Sequence, residues 1–261
     1  MPAWQAGMQI CVKIVNVFEA NLAINLPNHL AIINLFDPET GATTCVMDGT
    51  YITGVRTAAS AVISQKLLSR QESKIATIVG AGVQGREHLR LLPLIRNFDE
   101  IQIYSIDFEH AERLARLDPR ARAVKNAEEA IRRSDVICLA THSPVPVIAA
   151  DWVKPGTHVS SVGYCPPDGE LPRELATNHR LFVESADAFA TPPVGCAELR
   201  GIDSGLATLL GDVVNDLQKG RTVDEEITVY KAMGIAMEDM VAANLVYQRA
   251  VATGVGTSVE W

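Results

Sequence analysis

The chain has 261 residues, 48% of them hydrophobic and 21% charged, and 31 acidic against 23 basic side chains give a formal net charge of −8. That length holds one large domain or two modest ones around a core that needs no disulfide staples. An acidic chain lacks the basic footprint of a nucleic-acid binder, no apolar run reaches the ~18 residues that span a bilayer, and residues 1–7 carry no signal segment; a cytoplasmic protein without nucleic-acid or membrane partners is expected.

In chain order, Leu30 to Phe36 and Thr43 to Met47 read as antiparallel strands separated by the turn-rich Asp37-Pro38-Glu39-Thr40-Gly41. Val55, Ala58, Ala59, Val62 and Ile63 recur at helical spacing and predict a helix from Val55 to Leu68. From Lys74 onward, short apolar runs alternate with helical patterns. Strands are predicted at Ile75–Val79, Ile101–Tyr104, Ala121–Val124, Val136–Ala140, His158–Val162 and Leu181–Glu184, with helices from Gly85 through Arg96, His110 to Leu117 and Asn126 to Arg133. This order implies a parallel sheet with helices on both faces. Val223 to Val251 reads as one long helix. The expected fold is α/β: a Rossmann-type doubly wound parallel sheet over residues 71–219, inserted into a discontinuous second α+β domain formed by residues 1–70 and 220–261. Cys11, Cys45, Cys138, Cys165 and Cys196 are widely spaced and form no Cys-x-x-Cys pair, so neither a disulfide framework nor a metal site is expected.

The stretch Gly80-Ala81-Gly82-Val83-Gln84-Gly85 follows a predicted strand and opens a helix, the context in which Gly-x-Gly-x-x-Gly binds a dinucleotide. Gly80 permits the tight turn, Gly82 lets the backbone approach the pyrophosphate, and Gly85 lets helix and strand pack closely, while the helix N-terminus offers its amides to phosphate. Asp107 follows the next strand, near the expected offset of about 20 residues, where a carboxylate accepts the adenosine ribose hydroxyls and repels a 2′-phosphate. NAD is therefore expected over NADP, unless Arg86 or His110 reaches the phosphate. The competing reading of Asp107 is a cap on the following helix.

The run Asp48-Gly49-Thr50-Tyr51-Ile52-Thr53-Gly54-Val55-Arg56-Thr57-Ala58-Ala59, together with the glycine loop, closely resembles the ornithine cyclodeaminase/mu-crystallin family. Further matches are Val12-Lys13-Ile14-Val15, Trp152-Val153-Lys154-Pro155-Gly156-Thr157-His158, and Lys231-Ala232-Met233-Gly234 with Asp239. The resemblance implies a Rossmann-type domain inserted into a discontinuous α+β substrate and dimerisation domain, a homodimer, and a nicotinamide cofactor acting on amino acids or cyclic imino acids. Carried over by position, Lys13 and Arg56 match the residues that hold the substrate carboxylate and serve catalysis. A guanidinium suits that task because it makes two parallel hydrogen bonds to a carboxylate, and the predicted helix places Arg56 in its first turn, where negative charge is favoured. Read without the family, Arg56 is a surface salt bridge and Lys13 a solvated strand lysine. The implied cofactor set is Gly80, Gly82, Val83, Gln84, Gly85, Asp107, Thr141, His142, Val162, Gly163, Lys231 and Gly234. His142 receives no catalytic role, since a loop histidine near phosphate or ribose is the plainer assignment.

Two departures qualify the resemblance. Ornithine cyclodeaminases carry an aspartate in the loop after the fifth strand that helps activate the side-chain amine; here Tyr164 and Cys165 stand there and Asp168 is displaced along the chain. The family also usually has several tens of residues before the segment that begins here at Met1, so the substrate domain is expected to be N-terminally incomplete. The expected function is hydride transfer at the α-carbon of an amino or cyclic imino acid, as an imine reductase or amino-acid dehydrogenase. The alternatives are a cyclising ammonia-lyase with no net redox change and a non-catalytic, crystallin-like binder of NAD(P) and a small ligand.

Overall fold

The computed structural model describes residues 1–24, 26–192 and 194–259. In chain order its elements are β1 (Pro2–Ala3), β2 (Ile10–Val17), β3 (His29–Phe36), β4 (Thr43–Asp48), α1 (Gly49–Leu68), β5 (Ile75–Val79), α2 (Val83–Leu91), β6 (Glu100–Tyr104) and α3 (Phe108–Ala115). There follow β7 (Ala121–Val124), α4 (Ala127–Arg133), β8 (Val136–Leu139), β9 (His158–Ser161), α5 (Arg173–Asn178), β10 (Arg180–Val183), β11 (Ala207–Leu209), α6 (Leu210–Val214), β12 (Thr228–Lys231) and α7 (Ala236–Thr253). The chain divides into a small unit, residues 1–56 with 234–261, and a large unit, residues 57–233.

In the small unit, β1 to β4 form an antiparallel sheet in sequential order. The period of two in a strand puts Cys11, Ile33 and Leu35 on one face, where they pack with Met240 and Ala243 of α7 and with Ile52. Asp37 Oδ1 gathers the amides of Glu39 and Thr40 and so fixes the predicted turn between β3 and β4.

The large unit holds an eight-stranded sheet in the order β11-β10-β12-β9-β8-β5-β6-β7, parallel throughout. Neighbouring residues of one strand enter different cores: Val79, Ile137 and Leu139 pack on one side, and Ile78, Val136 and Cys138 on the other. Burial on both faces explains why these strands read as continuous apolar runs in the sequence. The order reverses about β5 and β8, the position at which doubly wound sheets open a crevice beyond their C-terminal strand ends.

Three expectations about the elements are corrected. The helix predicted from Val223 to Val251 is instead strand β12, a break at Gly234 with φ +75°, and helix α7. The β-branched and aromatic run at 228–230 is taken into the sheet between β9 and β10, where tertiary pairing overrides helical spacing. Helix α1 begins at Gly49, with Asp48 Oδ1 accepting from the Thr50 amide, so Arg56 lies about two turns inside it and outside the reach of its N-terminal dipole. The pattern predicted through Arg96 stops as an α-helix at Leu91 and tightens to a 3-10 turn at Leu92–Leu94, which contains Pro93. Residues 57–70 and 220–233 also fall in the large unit, whereas the sequence placed the joins at 70 and 220. Ala61 and Leu68 of α1 pack there with Phe182, Leu210, Val213, Tyr230 and Ala232.

Candidate active site

Within the small unit, Lys13 follows Cys11 on the helix-facing side of β2, and its side chain is buried. Its Nζ lies 2.6 Å from Asp239 Oδ2 of α7 and 3.4 Å from Thr53 Oγ1 of α1. Arg56 donates Nε to Asp239 Oδ1 at 2.9 Å and Nη1 to Glu238 Oε2 at 3.1 Å. The structure therefore joins the two predicted cations through one buried carboxylate, and neither the solvated lysine nor the surface salt bridge describes them. Burial first, and the Arg56 charge second, push the Lys13 ammonium below the usual lysine value of 10.5, while Asp239 opposes them. Gly234 lies against the same guanidinium: a Cβ there would run into Arg56 Nη1, and the positive φ independently favours glycine. Of the residues expected at the cofactor, Gly234 thus falls in the small unit with Arg56.

In the large unit, the glycine loop has the geometry of a cradle. Gly80 takes φ +111°, and a Cβ on it would strike the carbonyl of Ala140; one on Gly85 would strike the carbonyl of Gly80; Gly82 faces open space. Gly82 is the N-cap of α2, and among the described residues no side chain caps that terminus. Val83 beside it is 66% exposed, and Gln84 Oε1 is buried without a hydrogen-bond partner among the described residues. An open helix N-terminus behind a glycine turn fits the pyrophosphate of a dinucleotide. Asp107 follows β6 and caps α3, Oδ1 accepting from the amides of Glu109 and His110 while Oδ2 stands 3.6 Å from His110 Nε2.

Beside this cradle a second buried network ties together the loops after β8 and β9. Glu170 accepts from the Thr141 amide and hydroxyl, both at 2.6 Å, from Ser161 Oγ at 2.9 Å and from the Gly163 amide at 2.7 Å. Lys231, at the end of β12, donates to Ser161 Oγ at 3.1 Å and to the Gly163 carbonyl at 2.5 Å, and pairs with Glu198 at 2.8 Å. Burial works against the Lys231 charge, but the surrounding Glu198, Cys196 and Glu170 outweigh it and hold its pKa above the ordinary value. Gly80, Thr141, Gly163 and Lys231 are thus brought together, with Lys231 buried beneath the loop backbone; Val162 packs on the core near Phe182 and Tyr230, and His142 is exposed.

A sequence profile of the ornithine cyclodeaminase/mu-crystallin family matches residues 1–254. The chain belongs to this family. It is 36% identical over 250 residues to the ketimine reductase mu-crystallin of Mus musculus, covering 95% of this chain and 78% of that protein. The fold superposes on Thermococcus litoralis Δ1-pyrroline-2-carboxylate reductase, solved with NADH and L-proline, with a TM-score of 0.89 and 36% identity, over 96% of this chain and 81% of that one. An archaeal alanine dehydrogenase dimer with bound NAD matches with a TM-score of 0.87 and 31% identity, over 100% of this chain and 83% of its own. The family fold, a Rossmann-type sheet accompanied by a second unit, is the architecture described above.

Within this family frame, four acids had no role assigned from the sequence, although Asp239 stands among the family matches. Asp239 and Glu238 hold Lys13 and Arg56, and Glu170 and Glu198 hold the large-unit loops. The first pair had a readable signal, two acids opening a helix after a glycine break. The second pair had none, because only the folded sheet edge brings residues 141, 161, 170, 198 and 231 together. Asp168, the displaced candidate for the cyclodeaminase acid, is exposed, and its amide donates to the Pro144 carbonyl.

Proposed function

We propose that this protein is an NAD-dependent imine reductase or amino-acid dehydrogenase, transferring hydride at the α-carbon of an amino or cyclic imino acid. The observation that carries the reading is the buried Lys13–Asp239–Arg56 cluster, in which two cations stand together and one has a lowered pKa. Among the described residues, Lys13 uses two of its three N–H donors and Arg56 two of its five, which leaves donors for a substrate carboxylate. The four charges of Lys13, Arg56, Asp239 and Glu238 balance, so an arriving carboxylate adds negative charge and favours the protonated lysine. The Lys13 ammonium then gives a proton to the imine nitrogen in reduction, and the neutral amine takes one back in oxidation. Bound NADH supplies the hydride, and bound NAD accepts it. Gly80, Gly82, Val83, Gln84 and Gly85 would hold the pyrophosphate, with Thr141, His142, Val162 and Gly163 beside the dinucleotide. In this reading Lys231 acts by fixing the Gly163 carbonyl, and Gly234 by leaving room for Arg56.

NAD is preferred over NADP in this reading because the Asp107 carboxylate follows β6, where Oδ2 can accept a ribose hydroxyl and repel a phosphate. Reductase chemistry is favoured over cyclising deamination, since the exposed Asp168 is the displaced acid and the buried Glu170 is already occupied by four donors. The reading includes a homodimer formed through the outer face of the small sheet. Ile14, Ile32 and Val46 share that face and are 51%, 42% and 47% exposed, an apolar patch of the kind that marks an interface. It also includes a cytoplasmic location, consistent with five free cysteines. Among the described residues, no helix is long and apolar enough to cross a membrane.

The test is incubation with NAD or NADH and a panel of amino and cyclic imino acids, following NADH absorbance and ammonia together. Net NADH change is the expected result. Ammonia without NADH change identifies a cyclodeaminase, and neither signal, with cofactor still bound, identifies a binding protein.

A further inference from the structure

Asp239 is completely buried, yet it faces two cations from different elements, Lys13 on β2 and Arg56 on α1. Each carboxylate oxygen is given to one of them, Oδ2 to Lys13 at 2.6 Å and Oδ1 to Arg56 at 2.9 Å. The division fixes the separation and aim of the ammonium and the guanidinium with one rigid group. Glu238, next to it on α7, is partly exposed and pairs with Arg56 Nη1 at 3.1 Å.

We propose that Asp239 is a positioning residue that aims Lys13 and Arg56 together, one oxygen to each, and through its contact with Lys13 tunes the charge on that lysine. The catalytic use of this tuning rests on the function proposed above; the tuning itself does not. The charged and titratable groups that face Lys13 are Asp239 and, through Arg56, Glu238 from α7; Arg56 from α1; Cys11 from its own strand; and the amino group of Met1, which donates to the Lys13 carbonyl at 2.9 Å. Two of these dominate with opposite sign beyond burial itself: Arg56 disfavours the ammonium and Asp239 favours it. Removing the Asp239 charge therefore lowers the Lys13 pKa, and removing the Arg56 charge raises it.

The test is an NMR titration of the intact protein labelled at lysine Cε, with Lys13 assigned by the resonance lost in Lys13→Met. Asp239→Asn is expected to move the Lys13 midpoint downward by about one pH unit or more, Arg56→Met to move it upward, and Glu238→Gln to move it least. These shifts are read without substrate or cofactor, so an inactive substrate panel overturns the proposed function and leaves this inference standing. With an active enzyme, the alkaline limb of kcat/KM for imine reduction is expected to follow the same two directions, while NADH affinity stays within about twofold. A Lys13 midpoint unmoved in Asp239→Asn would overturn the proposal. Should that variant not fold, a midpoint in Arg56→Met that fails to rise overturns it equally.

Discussion

Lys13 in the small unit and Lys231 in the large one are both buried lysines paired with a carboxylate, and their pKa values move in opposite directions. Lys13 has one carboxylate in contact and a guanidinium nearby, and burial wins. Lys231 has Glu198 in contact, Glu170 and Cys196 close by and two further hydrogen-bond acceptors, and its charge is held. The difference shows that burial alone does not make a lysine reactive; the sign of the neighbouring charge decides. A lysine whose pKa is lowered releases its proton more readily, as proton transfer requires, and one held as a cation suits holding backbone in place.

That contrast can be broken by exchanging the same substitution between the two sites. Lys13→Met is expected to lower kcat/KM for imine reduction by about 100- to 10,000-fold, with NADH affinity retained and a smaller stability loss, because Arg56 still pairs with Asp239. Lys231→Met should do the reverse, costing about 3–5 kcal/mol in chemical denaturation by leaving Glu198 buried and uncompensated. Adding Glu198→Gln is expected to restore part of that loss. A Lys231→Met protein of unchanged stability, or a Lys13→Met protein of unchanged turnover, would erase the distinction.

The pH dependence sharpens it. The folded pKa of Lys231 lies above its unfolded value of 10.5, so its contribution is complete below 10.5 and is lost as pH rises through the folded value. The stability gap between wild type and Lys231→Met is therefore expected to be constant in the neutral range and to narrow on the alkaline side.

The smallest expected effect concerns Asp107, which holds a helix end and is proposed to hold a ribose. Asp107→Ala should cost about 1 kcal/mol through the lost cap, seen in the denaturation midpoint. It should also weaken NADH binding by about fivefold and reduce the preference over NADPH, the worth of one hydrogen bond. A stability loss with the cofactor preference unchanged would leave the carboxylate as a cap alone.

The large unit was the more legible part of the sequence. Runs such as 75–79 and 136–139 are apolar on both faces, and the glycine loop after the first of them locates the turn and the helix that follows. Strand β12 escaped because 228–231 stands just ahead of a genuine helix, and its pairing partners are set by β9 and β10, far away in sequence. The family motifs single out Lys13, Arg56 and Asp239, but not their burial or their contacts with one another. Strand alternation places Lys13 on the core side only once α7 is known to cover that face, and the Arg56–Asp239 contact spans 183 residues of chain.

The buried thiols can report on each unit without an added probe. Burial raises Cys11 to about 11 in the small unit, and Cys138 to about 12 and Cys196 to about 11 in the large one. At mildly alkaline pH these sulfurs are almost wholly protonated and shielded, so alkylation must wait for the surrounding structure to open. The labelling rates of Cys11 against Cys138 and Cys196, read by mass spectrometry, would therefore time the opening of the two units separately in a single sample.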